Sequence, residues 1–173
     1  MGWARAFSRV KHRVLRLNDT ARNIALGLAI GAGVSFSPLM FTHFIQGAIL
    51  ALILRANIPA ALIGTIVGNP WTFPFFWWAS LYLGSAIFNA MGVPVEANLP
   101  TEVSLPILWD MLWHEPLRLL APWMLGGYLL CVIVIVVSYP LYLNLIKAAK
   151  LARTKAMQRK AHKAAKEITG QDQ

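Results

Sequence analysis

A small group of polar and ionisable side chains stands inside otherwise apolar stretches of this sequence. His43 follows a Ser37-Pro38 step, and Gln46 lies about one helical turn beyond it. A second apolar stretch contains Asn69-Pro70 and, two residues later, Thr72. Apolar surroundings offer few hydrogen-bond partners, so polar groups in such places either bind a ligand or satisfy an interrupted backbone.

His43 is the only histidine within an apolar stretch. An imidazole has a reference pKa of about 6.5, so it can exchange a proton or bind a ligand near neutral pH. The alternative is a neutral histidine that hydrogen-bonds one helix to another. The sequence leaves both interpretations open.

The turn Arg55-Ala56-Asn57 separates the two apolar stretches. Guanidinium and amide donors suit a phosphate group, whereas the alternative is an arginine that only reaches the lipid head groups. If the two Pro-bearing segments meet, helix ends there would add backbone N–H groups for an anion. The predicted ligand-binding residues are Ser37, Pro38, His43, Gln46, Arg55, Asn57, Asn69, Pro70 and Thr72.

Signatures of catalysis and of cofactor binding are missing from the sequence. There is no Gly-x-Ser-x-Gly, His-Glu-x-x-His or Cys-x-x-Cys, and no phosphate-binding loop with a lysine. The single cysteine, Cys131, cannot form an internal disulfide. His114-Glu115 alone offers too few ligands for a zinc ion. We expect no enzyme activity, no catalytic residue, no metal site and no cofactor.

Composition indicates that most of the chain lies in lipid. It is 57% hydrophobic and 13% charged, whereas soluble domains carry about 25% charged residues. The net charge is +9, but six Lys and Arg lie between Arg5 and Arg22 and eight between Lys147 and Lys166. Basic flanks orient a membrane protein with those ends in the cytoplasm. We expect a multi-pass inner-membrane protein with cytoplasmic N- and C-termini and no nucleic-acid partner.

The sequence divides into three parts. These are a basic amphipathic N-terminal segment (1–23), a transmembrane domain (24–146) and a basic cytoplasmic tail (147–173). The transmembrane domain contains three apolar regions (24–54, 60–91 and 117–146) and an acidic external loop (92–116).

Prolines interrupt the first two apolar regions, because proline removes a backbone donor and clashes with the preceding turn. We predict a helix to about Phe36 and another from about Leu39 to Leu54. The charge pattern favours a first region that re-enters toward Arg55 and a second that crosses outward. The predicted fold is an all-α, polytopic integral membrane protein with Pro-broken or re-entrant helices and basic amphipathic termini.

Several segments resemble the bacterial membrane family called domain of unknown function 2062. They are Ala25–Gly31, Ser37-Pro38, His43, Arg55–Pro59 and Gly68-Asn69-Pro70-Trp71-Thr72-Phe73-Pro74. The likeness covers roughly residues 10–148, and its most specific part is the Asn-Pro-x-Thr segment after an Arg-x-Asn turn. The resemblance implies no established activity. Some members resemble modules attached to glycosyltransferase-like domains, which implies work near lipid-linked sugars.

These observations favour a protein that binds or translocates a lipid-phosphate or similar amphipathic anion in envelope biogenesis. Its expected partners are membrane lipids, including anionic or polyprenyl-phosphate lipids. The alternative is a non-transporting membrane scaffold or assembly factor for an envelope enzyme of the glycosyltransferase type. The sequence does not decide whether the protein also forms a homo-oligomer.

Overall fold

A computed structural model describes residues 19–39, 42–93 and 116–170, and every element within these ranges is helical. The helices are α1 (Ala21–Val34), α2 (His43–Ile53), α3 (Ile58–Gly64), α4 (Phe73–Ala90) and α5 (Pro116–Gly170). A 3₁₀ turn, Thr65–Val67, continues α3. The predicted all-α class is confirmed for these residues. The N-terminal segment 1–18 and loop residues 94–115 lie outside the described ranges.

Helix α1 has well-defined chemical signals at both ends. The Thr20 hydroxyl accepts a hydrogen bond from the Asn23 N–H at 3.2 Å, which caps the helix. At the other end, Pro38 has no N–H with which to continue the helix, and α1 stops at Val34. The predicted interruption at Ser37-Pro38 is therefore confirmed.

Small residues bring α1 close to α3. A Cβ atom at Gly27 would collide with the carbonyl oxygen of Asn57, and one at Gly31 would collide with that of Ala61. On the facing helix, a Cβ at Gly64 would meet the carbonyl oxygen of Leu28. Glycines and alanines at the contact therefore let the two backbones approach closely.

Helix α5 packs against both α4 and α1. Gly84 of α4 lies so close to the Pro122 carbonyl that a Cβ there would overlap it. Further along α5, the Cys131 carbonyl oxygen lies 2.7 Å from the Cβ position of Gly33 in α1. Helices α4 and α1 therefore contact successive parts of α5.

The third apolar region and the basic tail form one continuous helix. The predicted basic tail (147–173) is helical as far as Gly170, as the continuation of α5. No glycine or proline occurs between Ile146 and Gly170, and the alanines of this segment favour helix.

One helix in the described part of the chain is long and apolar enough to cross a membrane. It lies within Leu120–His162. An 18-residue segment there has a mean hydropathy of 2.4, and only 11% of that segment is buried. Helices α1 and α2 and the segment Ile58–Val67 are apolar but shorter. Large apolar side chains are also exposed on α2, α4 and α5, which is uncommon on soluble monomers.

Candidate functional site

The two Pro-interrupted segments lie against each other. The Ser35 hydroxyl oxygen is 2.7 Å from the position that a Cβ would take on Gly68. The rings of Phe36 and Phe76 stack with their centroids 4.2 Å apart. The Ser80 hydroxyl of α4 also donates to the Phe36 carbonyl oxygen at 3.2 Å. We call this meeting place, residues 35–39 and 68–73, the break junction.

His43 is buried beside the break junction, with 6% of its surface exposed. Its Nδ1 lies 3.1 Å from the Val34 carbonyl oxygen. Because a carbonyl only accepts, Nδ1 carries a proton in this contact, and in a neutral ring Nε2 then keeps its lone pair. Pro38 cannot supply the N–H that would normally bind this carbonyl, so His43 takes over part of that role. Nε2 is buried, and no described residue hydrogen-bonds to it.

A row of aromatic rings leads from His43 to α5. The ring centroids of His43 and Phe73 are 5.2 Å apart, and those of Phe73 and Trp77 are 5.8 Å apart. Trp77 meets Trp123 edge-on at 5.5 Å. The indole N–H groups of Trp77 and Trp123 are buried, and no described residue accepts from them. The row fills the interior with rings and involves no charged side chain.

The side-chain oxygens of Asn69 and Thr72 form hydrogen bonds with backbone groups of the turn that contains them. The Asn69 Oδ1 accepts from the N–H groups of Trp71 at 3.0 Å and Thr72 at 3.2 Å. The Thr72 hydroxyl accepts from the Asn69 N–H at 3.0 Å and donates to the Val67 carbonyl at 2.8 Å. These bonds stabilise the turn around Pro70 and position the start of α4.

Ser37 and Gln46 also use their polar atoms within the protein. The Ser37 hydroxyl accepts from the Leu39 N–H at 3.3 Å, beside the buried Pro38. The Gln46 side chain donates to the Thr42 hydroxyl at 2.6 Å and accepts from the Tyr128 hydroxyl at 3.3 Å. Gln46 thereby links the start of α2 to α5.

Arg55 and Asn57 lie at the opposite end of α2, about 15 Å of helix away from His43. Arg55 is exposed and has a φ of 51°, in the left-handed region that favours glycine. The Ala56 N–H donates to the Ala51 carbonyl at 2.8 Å, which closes a Schellman motif around Arg55. The structure therefore separates this turn from the other predicted site residues.

Asp19, which the sequence analysis did not select, joins three segments at this end of the molecule. Its Oδ2 accepts from the Asn57 side-chain amide at 3.0 Å, and its Oδ1 accepts from that of Asn23 at 2.9 Å. The Lys150 ammonium donates to the Asp19 carbonyl oxygen. The Asn57 hydrogen bond is the main reason that the pKa of Asp19 lies below its usual value. Asp19-Thr20 before an apolar helix is a helix-start signal that could have identified it.

We call residues 19–23, 55–57 and 147–150 the polar end. Arg22, Arg55 and Lys147 are exposed there and come from three different segments. The polar end contains four cationic side chains, including Lys150, and one carboxylate, Asp19, so its net charge is positive. Within the described ranges, no cluster of His, Cys, Asp and Glu could hold a metal ion.

Residues 4–155 match the family described as uncharacterised protein conserved in bacteria, DUF2062. The chain belongs to this family. The predicted resemblance is confirmed, and the DUF2062 match includes the break junction and the polar end together with α5 as far as Lys155. No curated protein and no solved structure matches the chain.

Proposed function

We propose that this protein is a multi-pass inner-membrane protein that binds the phosphate headgroup of an anionic lipid at its polar end. The observation that carries the proposal is the hydrogen-bond network of Asp19, which joins the start of α1, the α2–α3 turn and α5 through Asn23, Asn57 and Lys150. Each of these three segments also carries an exposed cation, Arg22, Arg55 or Lys147. Arginine and lysine near a cytoplasmic membrane surface attract anionic lipids. The exposed apolar helices would place that end at the edge of a lipid bilayer.

The packing of α1 and α2 supports a hairpin that enters and leaves by the cytoplasmic face. The Asn57 N–H donates to the Asn23 carbonyl at 3.1 Å, so α2 ends beside the start of α1. The break junction lies at the other end of both helices. Region 60–91 then continues outward through α4, and α5 returns to the cytoplasm.

The position of the break junction along α5 supports the same arrangement. Gly127 of α5 lies against the junction, with its Cβ position 2.7 Å from the Phe36 carbonyl oxygen, and it precedes Lys147 by twenty residues, or about 30 Å of helix. A hydrocarbon core is about 30 Å thick. With Lys147 at the cytoplasmic surface, the junction would lie near the outer edge of the hydrocarbon core, packed against α4 and α5.

Arg55 supports placing the headgroup at the polar end. A non-glycine residue in the left-handed region costs roughly 1 kcal/mol, and glycine would fit the Schellman motif without that cost. An arginine at this place is accounted for if its exposed guanidinium contacts a phosphate. The break junction is the weaker candidate, because Ser37, Asn69 and Thr72 use their polar atoms on backbone groups.

Native mass spectrometry of the protein released from lipid nanodiscs tests the proposal. Nanodiscs would contain equal amounts of phosphatidylglycerol and phosphatidylcholine, and retained lipids would be counted. We expect preferential retention of phosphatidylglycerol, a several-fold loss in Arg55→Gly and little loss in Arg55→Lys.

Arg159→Ala is the matched control, because it removes one exposed charge from α5 beyond the polar end. If Arg159→Ala and Arg55→Gly lost phosphatidylglycerol retention equally, the effect would depend only on the net charge of the protein. That result, or retention without preference for phosphatidylglycerol, would contradict the proposal.

A further inference from the structure

The imidazole of His43 has one nitrogen that the described part of the chain leaves without a partner. Nδ1 lies 3.1 Å from the Val34 carbonyl oxygen, whereas Nε2 is buried and no described residue hydrogen-bonds to it. Only 6% of the surface of His43 is exposed. A buried polar atom without a partner is uncommon in proteins and therefore needs an explanation.

The neutral ring fits these surroundings better than the protonated ring. An imidazolium carries an N–H on both nitrogens, so Nε2 would then bury a donor and a positive charge without an acceptor. The ring of Phe73, stacked on His43 at 5.2 Å, attracts a cation much more weakly than water does. A protonated His43 therefore favours an arrangement in which Nε2 reaches water.

No carboxylate in the described ranges is placed to balance that charge. Asp19 belongs to the polar end, about 22 Å of helix from Val34. The 3₁₀ turn and α3 carry no titratable group. The remaining titratable or charged residues of α1, α4, the apolar part of α5 and the turn after α2 are all neutral or cationic near neutral pH: Arg22, Arg55, Tyr82, Arg118, Tyr128, Cys131, Tyr139 and Tyr142. None of them would stabilise an imidazolium.

The placement of the break junction gives protons access from the outer side. Gly127 lies against Phe36 there, about 30 Å along α5 from Lys147. His43 begins α2 beside this junction, and the rest of α2 runs from it toward the polar end. The outer aqueous phase is therefore nearer to His43 than the cytoplasm is.

We propose that the break junction is a proton-sensitive switch, in which a proton from the outer side binds Nε2 of His43 and loosens α2 from α1 and α4. The ring joins α2 to α1 through Val34 and to α4 through Phe73, so its movement toward water weakens both contacts. This inference rests on the membrane placement in the proposed function and does not depend on lipid binding at the polar end.

The reactivity of a buried thiol tests the switch. Cys131→Ser gives a cysteine-free background, because Cys131 is the only cysteine. Ser37→Cys then places a thiol in the junction, where Ser37 is fully buried. Spheroplasts would be treated with a membrane-impermeant methanethiosulfonate at about pH 7.5 and about pH 5.5, on either side of the reference pKa of histidine. Each rate would be divided by that of the denatured protein at the same pH, because thiols react more slowly in acid.

We expect the corrected rate at position 37 to rise several-fold at the lower pH. Ser85→Cys is the matched control, because Ser85 is also buried but lies on α4 away from the junction, and its rate should stay constant. His43→Gln keeps a side-chain N–H for the Val34 carbonyl but gains no proton, so it should abolish the response. An unchanged rate at position 37, an equal rise at position 85, or a response that survives in His43→Gln would overturn the proposal.

Thermal unfolding in detergent gives a second measurement that needs no cysteine reporter. Far-UV circular dichroism would first check that each variant is folded at about pH 7.5. The melting temperature of the wild type should fall more between the two pH values than that of His43→Gln, and equal falls would also overturn the proposal. Loss of lipid preference at the polar end would leave all of these results unchanged.

Discussion

The Nδ1 of His43 lies 3.1 Å from the carbonyl oxygen of Val34, the oxygen that Pro38 leaves without its helical donor. The end of one helix is thereby bound by the first residue of the next. The Ser37 N–H also reaches this oxygen, at 3.0 Å. The break in the first apolar region is therefore a hydrogen-bonded structure and not a gap in the helix.

Removing the His43 donor is expected to lower stability modestly. His43→Phe keeps a ring beside Phe73 but cannot donate, and the free energy of unfolding should fall by about 1 kcal/mol. The loss is small because the Ser37 N–H remains. Thermal unfolding in detergent, followed by far-UV circular dichroism, measures the change. Adding Pro38→Ala restores a backbone N–H at this site and should reduce the loss, whereas a loss of equal size would contradict this role for His43.

The space around Gly84 in α4 and around Gly47 in α2 predicts opposite outcomes when each is replaced by alanine. Gly84→Ala places a methyl group on the Pro122 carbonyl and should destabilise the fold by at least about 1–3 kcal/mol. At Gly47, the nearest atoms to an added Cβ are 3.5 Å and 3.6 Å away. Gly47→Ala should therefore raise helix stability by about 0.5–1 kcal/mol. The same thermal measurement on both variants suffices, and a tolerated Gly84→Ala would disprove the packing described for α4.

The pKa of Asp19 predicts a specific dependence of stability on pH. Hydrogen bonds from Asn57 and other groups lower this pKa below the ordinary value of 3.8. A carboxyl whose pKa is lower in the folded state stabilises above its unfolded pKa and loses that contribution as pH falls through the folded value. Melting temperatures should therefore fall more steeply below about pH 4 in the wild type than in Asp19→Asn. If the melting temperatures of the two proteins changed with pH in the same way, the ionised Asp19 carboxylate would contribute nothing to stability.

Replacing Arg55 by glycine should change stability and lipid binding in opposite directions. Arg55→Gly relieves the left-handed backbone strain and should raise the free energy of unfolding by roughly 1 kcal/mol, even though lipid retention falls. Arg55→Lys keeps the charge and the strain, so both properties should stay near the wild type. A destabilised Arg55→Gly would mean that the guanidinium supports the fold and would remove one argument for a headgroup contact.

Local chemistry made the interruptions predictable. Pro38 and Pro70 each remove a backbone donor, and the helices before them end as expected. Residue type alone does not decide this, because Pro122 and Pro140 lie inside α5 without ending it. The expected helix from about Leu39 to Leu54 is shorter in the structure, where α2 covers His43–Ile53. The sequence left open whether the two Pro-bearing segments meet, and the contact of Gly68 with Ser35 shows that they do.

Contacts between segments far apart in the chain could not be predicted from the sequence. Gly31 lies inside α1, where the backbone of Ala61 and Gly64 in α3 approaches it so closely that a side chain would not fit. Nothing near Asn57 in the sequence indicates that its partner is Asp19, 38 residues earlier. The division of the predicted site between the break junction and the polar end likewise depends on how α2 runs between them.

Sidedness of cysteine labelling is the most direct test of the membrane arrangement. In the Cys131→Ser background, single cysteines at Arg55, Lys155 and Glu102 would be exposed to a membrane-impermeant maleimide in intact cells and in inside-out vesicles. The account predicts labelling at positions 55 and 155 only in inside-out vesicles, and labelling at position 102 in cells whose outer membrane is permeabilised. Labelling of position 55 from the outer side, or recovery of the folded protein in a detergent-free soluble fraction, would contradict it.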